Sequence, residues 1–142
     1  MTFYFAYKIP QDLHLQPILI SCAGSLQFSS REYLVIDTGA KSLFEISCEY
    51  HCSPFKEIII SDNILSVGFE ENFYMYDLAA NTDILNIKLN GYFGHLYLHD
   101  DNFYVADAGG LFCIIKSGTT LWNNKNLAMD GVIIHDFFEN KL

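Results

Sequence analysis

Four short apolar runs return along this chain at nearly constant spacing: Ile18-Leu19-Ile20, Ile58-Ile59-Ile60, Leu96-Tyr97-Leu98 and Val132-Ile133-Ile134. Their starts lie 40, 38 and 36 residues apart, and each run is followed by a small or polar residue: Ser21, Ser61, His99 or His135. A fixed period of this length marks a repeated supersecondary unit that buries its faces against its neighbours. Three residues are too few for a helix. The lack of alternation predicts strands buried on both faces.

After the triplets the same order of turns and runs follows. Ser61-Asp62-Asn63 leads into Ile64-Leu65-Ser66-Val67-Gly68, and Asp100-Asp101-Asn102 leads into Phe103-Tyr104-Val105-Ala106-Asp107. Asp and Asn suit such turns because their side chains hydrogen-bond locally and tolerate left-handed backbone. Third runs follow a further turn: Leu43-Phe44-Glu45-Ile46, Phe73-Tyr74-Met75-Tyr76 and Leu111-Phe112-Cys113-Ile114-Ile115. Fourth, more polar runs are Ile84 to Leu89 and Thr120 to Asn123, as expected of edges that must not recruit other chains. The pattern predicts one all-β domain, 1–142, of antiparallel four-stranded units at 17–52, 57–89 and 94–122. A closing unit is expected from 132–137 together with an N-terminal strand at 2–8, in which Phe3, Phe5 and Tyr7 share a face.

The stretch from Gly109-Gly110-Leu111-Phe112 to Gly118-Thr119-Thr120-Leu121-Trp122 resembles blades of quinoprotein-like and WD40-like β-propellers. Of the Gly-His and Trp-Asp pairs of WD40 blades, only Gly94-His95 has a counterpart here. The resemblance implies a propeller-like body. Propellers use about four to eight blades, so either a compact four-unit body closes or two chains combine. A β-sandwich of regular hairpins is the alternative.

Composition narrows the function classes. Hydrophobic residues make up 51% of the chain and charged residues 18%, which excludes disorder. Twelve Phe and nine Tyr favour pleated, half-buried surfaces. Eight Lys and Arg stand against seventeen Asp and Glu, a net charge of −9, and Arg31 is the single arginine. Phosphate recognition leans on Lys and Arg, so no nucleic-acid partner is expected. An acidic surface instead attracts basic proteins and speeds their encounter. No stretch approaches the roughly 20 apolar residues of a membrane span, and the N-terminus lacks the pattern of a secretory signal. A cytoplasmic protein with reduced thiols and no membrane partner is the expectation.

Little in the chain points to catalysis. Cys48-Glu49-Tyr50-His51-Cys52 is the one dense cluster of soft ligands, but no second closely spaced pair completes a four-ligand zinc site. Cys22 and Cys113 stand alone in apolar runs, with no helix N-terminus to activate a thiol. His99 and His135 fill equivalent places in the repeat, which suits strand ends. Glu70-Glu71, Asp100-Asp101 and Asp107 fall in turns, where adjacent carboxylates are ordinarily solvated. Phosphate loops, nucleophile elbows, zinc-protease pairs and calcium loops are absent. No enzyme, metal or cofactor is expected.

What is left is a binding surface. Glu70, Glu71, Asp83, Asp100, Asp101 and Asp107 are the expected acidic contacts, with Tyr74, Tyr76 and Tyr104 as rigid aromatic anchors. In size, charge and lack of motifs the chain is similar to bacterial toxin-immunity proteins. That resemblance implies an inhibitor that covers the active site of a basic toxin, such as a nuclease. The other expectation is a propeller-type interaction scaffold, monomeric or dimeric.

Overall fold

The computed structural model describes residues 2–20, 30–48, 56–125, 133–135 and 137. They form strands, turns and extended segments. Among the described residues no helix is long and apolar enough to cross a membrane, and none is present at all. The chain divides into two compact units, Met1–Pro54 and Phe55–Leu142. The first holds one four-stranded sheet and the second holds two.

In the first unit β1 (Thr2–Ala6), β2 (Ile18–Ile20), β3 (Ser30–Asp37) and β4 (Lys41–Cys48) are ordered β1-β3-β4-β2. The β3–β4 hairpin is its centre, with Leu34, Val35, Ile36, Leu43, Phe44 and Ile46 all buried. Its turn closes with Gly39 at φ 102° while the Asp37 carboxylate accepts the Gly39 N–H at 3.0 Å. This unit departs from the expected antiparallel meander. Strand β1 pairs with β3, Thr2 opposite Asp37 and Ala6 opposite Tyr33, and so occupies the edge that a meander's first strand would take. Strand β2 is left the outer edge of β4, where it runs parallel. The triplet Ile18–Ile20 is therefore an edge strand with Leu19 66% exposed, not one buried on both faces.

The second unit follows the repeat. Strands β5 (Lys56–Ser61), β6 (Ile64–Phe69), β7 (Asn72–Asp77) and β8 (Thr82–Lys88) form one antiparallel meander. Strands β9 (Phe93–His99), β10 (Asn102–Asp107), β11 (Leu111–Ile115) and β12 (Thr120–Asn124) form the next. Cross-strand registers match between them. The row Ile58, Val67, Tyr74 in one sheet has its counterpart in Leu96, Val105, Phe112 in the other. Both β5 and β9 lie at sheet edges, so Ile58, Ile59 and Ile60 are only half-buried. The fully buried strands are the middle ones, β6 and β7 above all, because they have neighbours on both edges. Val132 lies outside the described residues, and Ile133 is exposed and in no strand.

Identical chemistry turns the two leading hairpins. Asp62 and Asn63 have φ of 51° and 62°, and Asp100 and Asp101 have 49° and 62°. Two left-handed residues in a two-residue loop give a turn whose twist matches that of the flanking strands. The two sheets of this unit pack face to face through Phe73, Met75, Phe93, Leu96, Phe103, Val105 and Ile114. A fully buried Phe contributes about 2–3 kcal/mol by removal from water. Ser66, within this layer, is satisfied by donating to the Ile59 carbonyl at 3.0 Å. Gly68 is needed here: a Cβ would lie 2.0 Å from the Phe93 ring.

Candidate functional site

Asp107 ties the two sheets of the second unit at their junction. Its Oδ1 accepts the Gly109 and Gly110 N–H groups at 2.9 and 2.6 Å, and its Oδ2 accepts the Asn90 N–H at 2.8 Å. Asn90 belongs to the link between β8 and β9. The same link is fastened where Leu89 N–H donates to the Glu71 carbonyl at 2.7 Å and Ala108 N–H to the Tyr92 carbonyl at 2.8 Å. The side chain of Asp107 is fully buried. Its expected part in partner contact is therefore corrected: a carboxylate satisfied by three backbone donors inside the protein presents no charge outside.

Glu70 is corrected likewise, being 2% exposed with a backbone φ of 47°. Tyr74 and Tyr76 are buried and stack on one another, ring centroids 6.4 Å apart at 19°. The Tyr74 hydroxyl donates to the Asp83 carboxylate. Burial first, then this carboxylate, pushes the Tyr74 phenol far above its ordinary range. Neither ring is available as an interface anchor. Sequence reading put these residues at the surface because strand alternation cannot show that both faces of a central strand are covered.

The other expected contacts stay near solvent. Glu71 and Tyr104 are half-buried, and Asp83, Asp100 and Asp101 are exposed. Strand direction sorts them. Chain reversals at 62–63, 78–81, 100–101 and 116–119 all lie at one end of the second unit, since successive strands are antiparallel. Among the described residues that end carries Asp62, Asp77, Asp83, Asp100 and Asp101 against one lysine, Lys116. Among the described residues the opposite end carries Lys56, Lys88 and Lys125 together with Glu57 and Glu71 near solvent and Glu70 and Asp107 buried. Charge in this unit is thus polarised along the strands.

Lys116 organises the acidic rim. Its Nζ lies 2.5 Å from Asp62 Oδ2 and 3.0 Å from Asp101 Oδ1, and it also donates to Ser61 Oγ at 3.2 Å. Its pKa is raised by the hydrogen bonds to Asp62 and Asp101, so it stays charged at neutral pH. One ammonium thereby holds the tips of the leading hairpins of the two sheets together, with the Asp62 and Asp101 side chains still 78% and 85% exposed. Asp77 turns inward to its own loop, accepting the Ala79 and Ala80 N–H groups. Sequence reasoning missed Asp62 as a rim residue. The signal was its equivalence with Asp100 in the repeated turn.

On the face of the second sheet turned away from the first, Tyr97, Tyr104, Cys113 and Trp122 form one cross-strand row. Burial raises the Cys113 pKa, which favours the protonated thiol, and the hydrogen bond from Tyr104 offsets part of that shift. Cys48 is buried as well, while Cys22 and the remainder of the 48–52 cluster lie outside the described residues. Among the described residues no three His, Cys, Asp or Glu side chains converge on a possible metal position. No protein-family model matches this chain, and no curated protein is significantly similar to it in sequence.

Proposed function

We propose that this protein binds and neutralises a basic toxin, a nuclease being the fitting class, by covering its active site with the acidic rim of the second unit. The observation that carries the reading is the polarised charge: among the described residues five aspartates and one lysine lie at one end, with Asp62, Asp100 and Asp101 themselves held in left-handed backbone. Nuclease clefts are cationic because their substrate is a polyanion, and rigid carboxylates at hairpin tips can stand where phosphates would bind. Rigidity matters, since groups already ordered lose less entropy on association. A stoichiometric complex of this kind buries about 1,600 Å². The protein acts by occlusion and performs no chemistry of its own.

The recurrence of one four-stranded meander as the next, joined by the Asp107 link, supports reading the sheets of the second unit as successive propeller-type blades. In that reading the hairpin tips of neighbouring blades lie side by side on one rim.

The test is kinetic. Association with a basic nuclease domain encoded beside this protein's gene is followed by stopped flow and by inhibition of DNA cleavage. The expected result is a one-to-one complex whose association rate falls at least about tenfold between low salt and about 0.5 M NaCl. Asp62→Asn, Asp100→Asn and Asp101→Asn together slow association, while Lys88→Gln with Lys125→Gln does not. A rate indifferent to both salt and the rim variants would overturn the reading.

A further inference from the structure

Residues Ile133–His135 and Phe137 belong to no strand, yet they rest on the aromatic row of the second sheet. The Phe137 ring stacks on His99 at 4.3 Å and 11°, and meets Tyr104 at 4.9 Å and Tyr97 at 6.3 Å. The Ile134 N–H donates to the Tyr97 hydroxyl at 3.1 Å. Trp122, at the far end of the row, lies 6.1 Å from Tyr104 and keeps 44% of its surface exposed.

Repeat logic says what this face is built for. In the preceding sheet the equivalent row is Ile59, Ser66, Met75 and Leu85, and that row receives the next sheet. For Ile59, Ser66 and Met75 the step to Tyr97, Tyr104 and Cys113 is the same 38 residues that separate Glu57 from its hydrogen-bonded partner His95. A stacked repeat ends on a face that would otherwise bury a neighbour, and such faces have to be capped. Among the described residues the aromatic side chain seated on this face is Phe137. Ile133 is 61% exposed, and the described residues of its segment add no strand to the sheet. A segment held by side-chain contacts without ladder hydrogen bonds opens at lower free energy than the strands beneath it.

We propose that this row is a binding site for an extended peptide bearing an aromatic side chain, and that Phe137 occupies it in cis as a displaceable plug. The occupant's chemistry follows from the ring already seated there. Aromatic rings favour edge-on and offset stacking on one another, and the Tyr97 hydroxyl supplies an acceptor for a backbone N–H. Plugging in cis lowers the apparent affinity for any such peptide by the fraction of time the seat is open. This site adjoins the acidic rim, since His99 beneath Phe137 also lies 3.2 Å from the Asp100 carboxylate, but it stands whether or not the rim binds a toxin.

The chain's single tryptophan lies in the row, so its emission reports directly on occupancy. The probe is a synthetic peptide carrying residues 131–139 of this sequence, titrated into the full-length protein and into Phe137→Ala and Phe137→Leu variants. Circular dichroism checks that each variant is folded. The expected result is saturable change in Trp122 emission, with at least about tenfold tighter binding to Phe137→Ala than to the unaltered chain. Phe137→Leu falls between them, and a peptide in which Phe137 is replaced by Ala gives no response. Equal affinity for all three proteins, or no emission change with any of them, would overturn the proposal. Should Phe137→Ala fail to fold, Phe137→Leu against the unaltered chain decides the matter by the same ordering.

Discussion

Single residues in this protein reveal their roles through what they would leave behind. Asp107 accepts three backbone N–H groups within a fully buried junction. Truncation to Ala strands those donors, and Asn would turn an N–H toward a donor. Asp107→Ala is expected to cost at least about 2–3 kcal/mol, read as a lowered urea midpoint, and Asp107→Asn should recover only part of it. Tyr74 makes a different case, because its acceptor Asp83 is exposed and can be rehydrated. Tyr74→Phe is expected to cost about 1 kcal/mol at neutral pH. The alkaline behaviour has a definite sign. Below the ordinary phenol value of 10.0, Tyr74 is protonated whether the chain is folded or unfolded, and its contribution is present in full. Above it the unfolded chain releases a proton that the folded chain retains, so stability falls as pH rises. Tyr33, Tyr76 and Tyr104 are shifted in the same direction. Urea midpoints measured from about pH 9 to about pH 11 should drop, and should drop less steeply in Tyr74→Phe. An unchanged slope in that variant would mean Tyr74 is not the group responsible.

At the scale of elements, the two leading hairpins are set by left-handed residue pairs, and these pairs also place the rim carboxylates. Asn63 has φ 62° while its carbonyl accepts the Leu78 N–H at 2.8 Å, an interaction that needs no side chain. Glycine meets no steric penalty at that angle. Asn63→Gly is expected to raise stability by about 0.5 kcal/mol, and Asn63→Val to lower it by more than about 1 kcal/mol, both by chemical denaturation. If Asn63→Val were neutral, the hairpin would not depend on that backbone geometry. The first unit shows the limit of element-level reading. Its triplet is as apolar as Ile58–Ile60, yet it is a parallel edge strand on β4 because β1 already pairs with the other side of β3. Which edge a strand finds is decided by competition between distant segments, and a triplet of three apolar residues has no means of encoding its rival.

Over the whole molecule, burial is graded from the sheet centres to their margins. Residues of β6 and β7 are almost all buried, whereas β12 is exposed throughout and β1 nearly so. Local opening follows that gradient. Amide hydrogen exchange should be slowest at Val67, Met75 and Val105 and fast at Leu121 and Phe3. Uniform protection across β10 and β12 would contradict the graded core. The same gradient explains how much of the candidate site was legible. Asp83, Asp100 and Asp101 were recognisable because turn chemistry puts polar residues at the surface. Glu70, Asp107, Tyr74 and Tyr76 were not, since their burial depends on other strands and on the link between sheets, as with Asn90 on Asp107. The sequence by itself determined the all-β class, the position of the hairpin turns and the spacing of the two matching meanders, all of which rest on neighbouring residues. Only the tertiary structure decided which carboxylates face water, which strand β1 adopts as partner and where Phe137 lies. Each of those outcomes is a contest between surfaces far apart in the chain, and a residue's own chemistry does not record who its competitor will be.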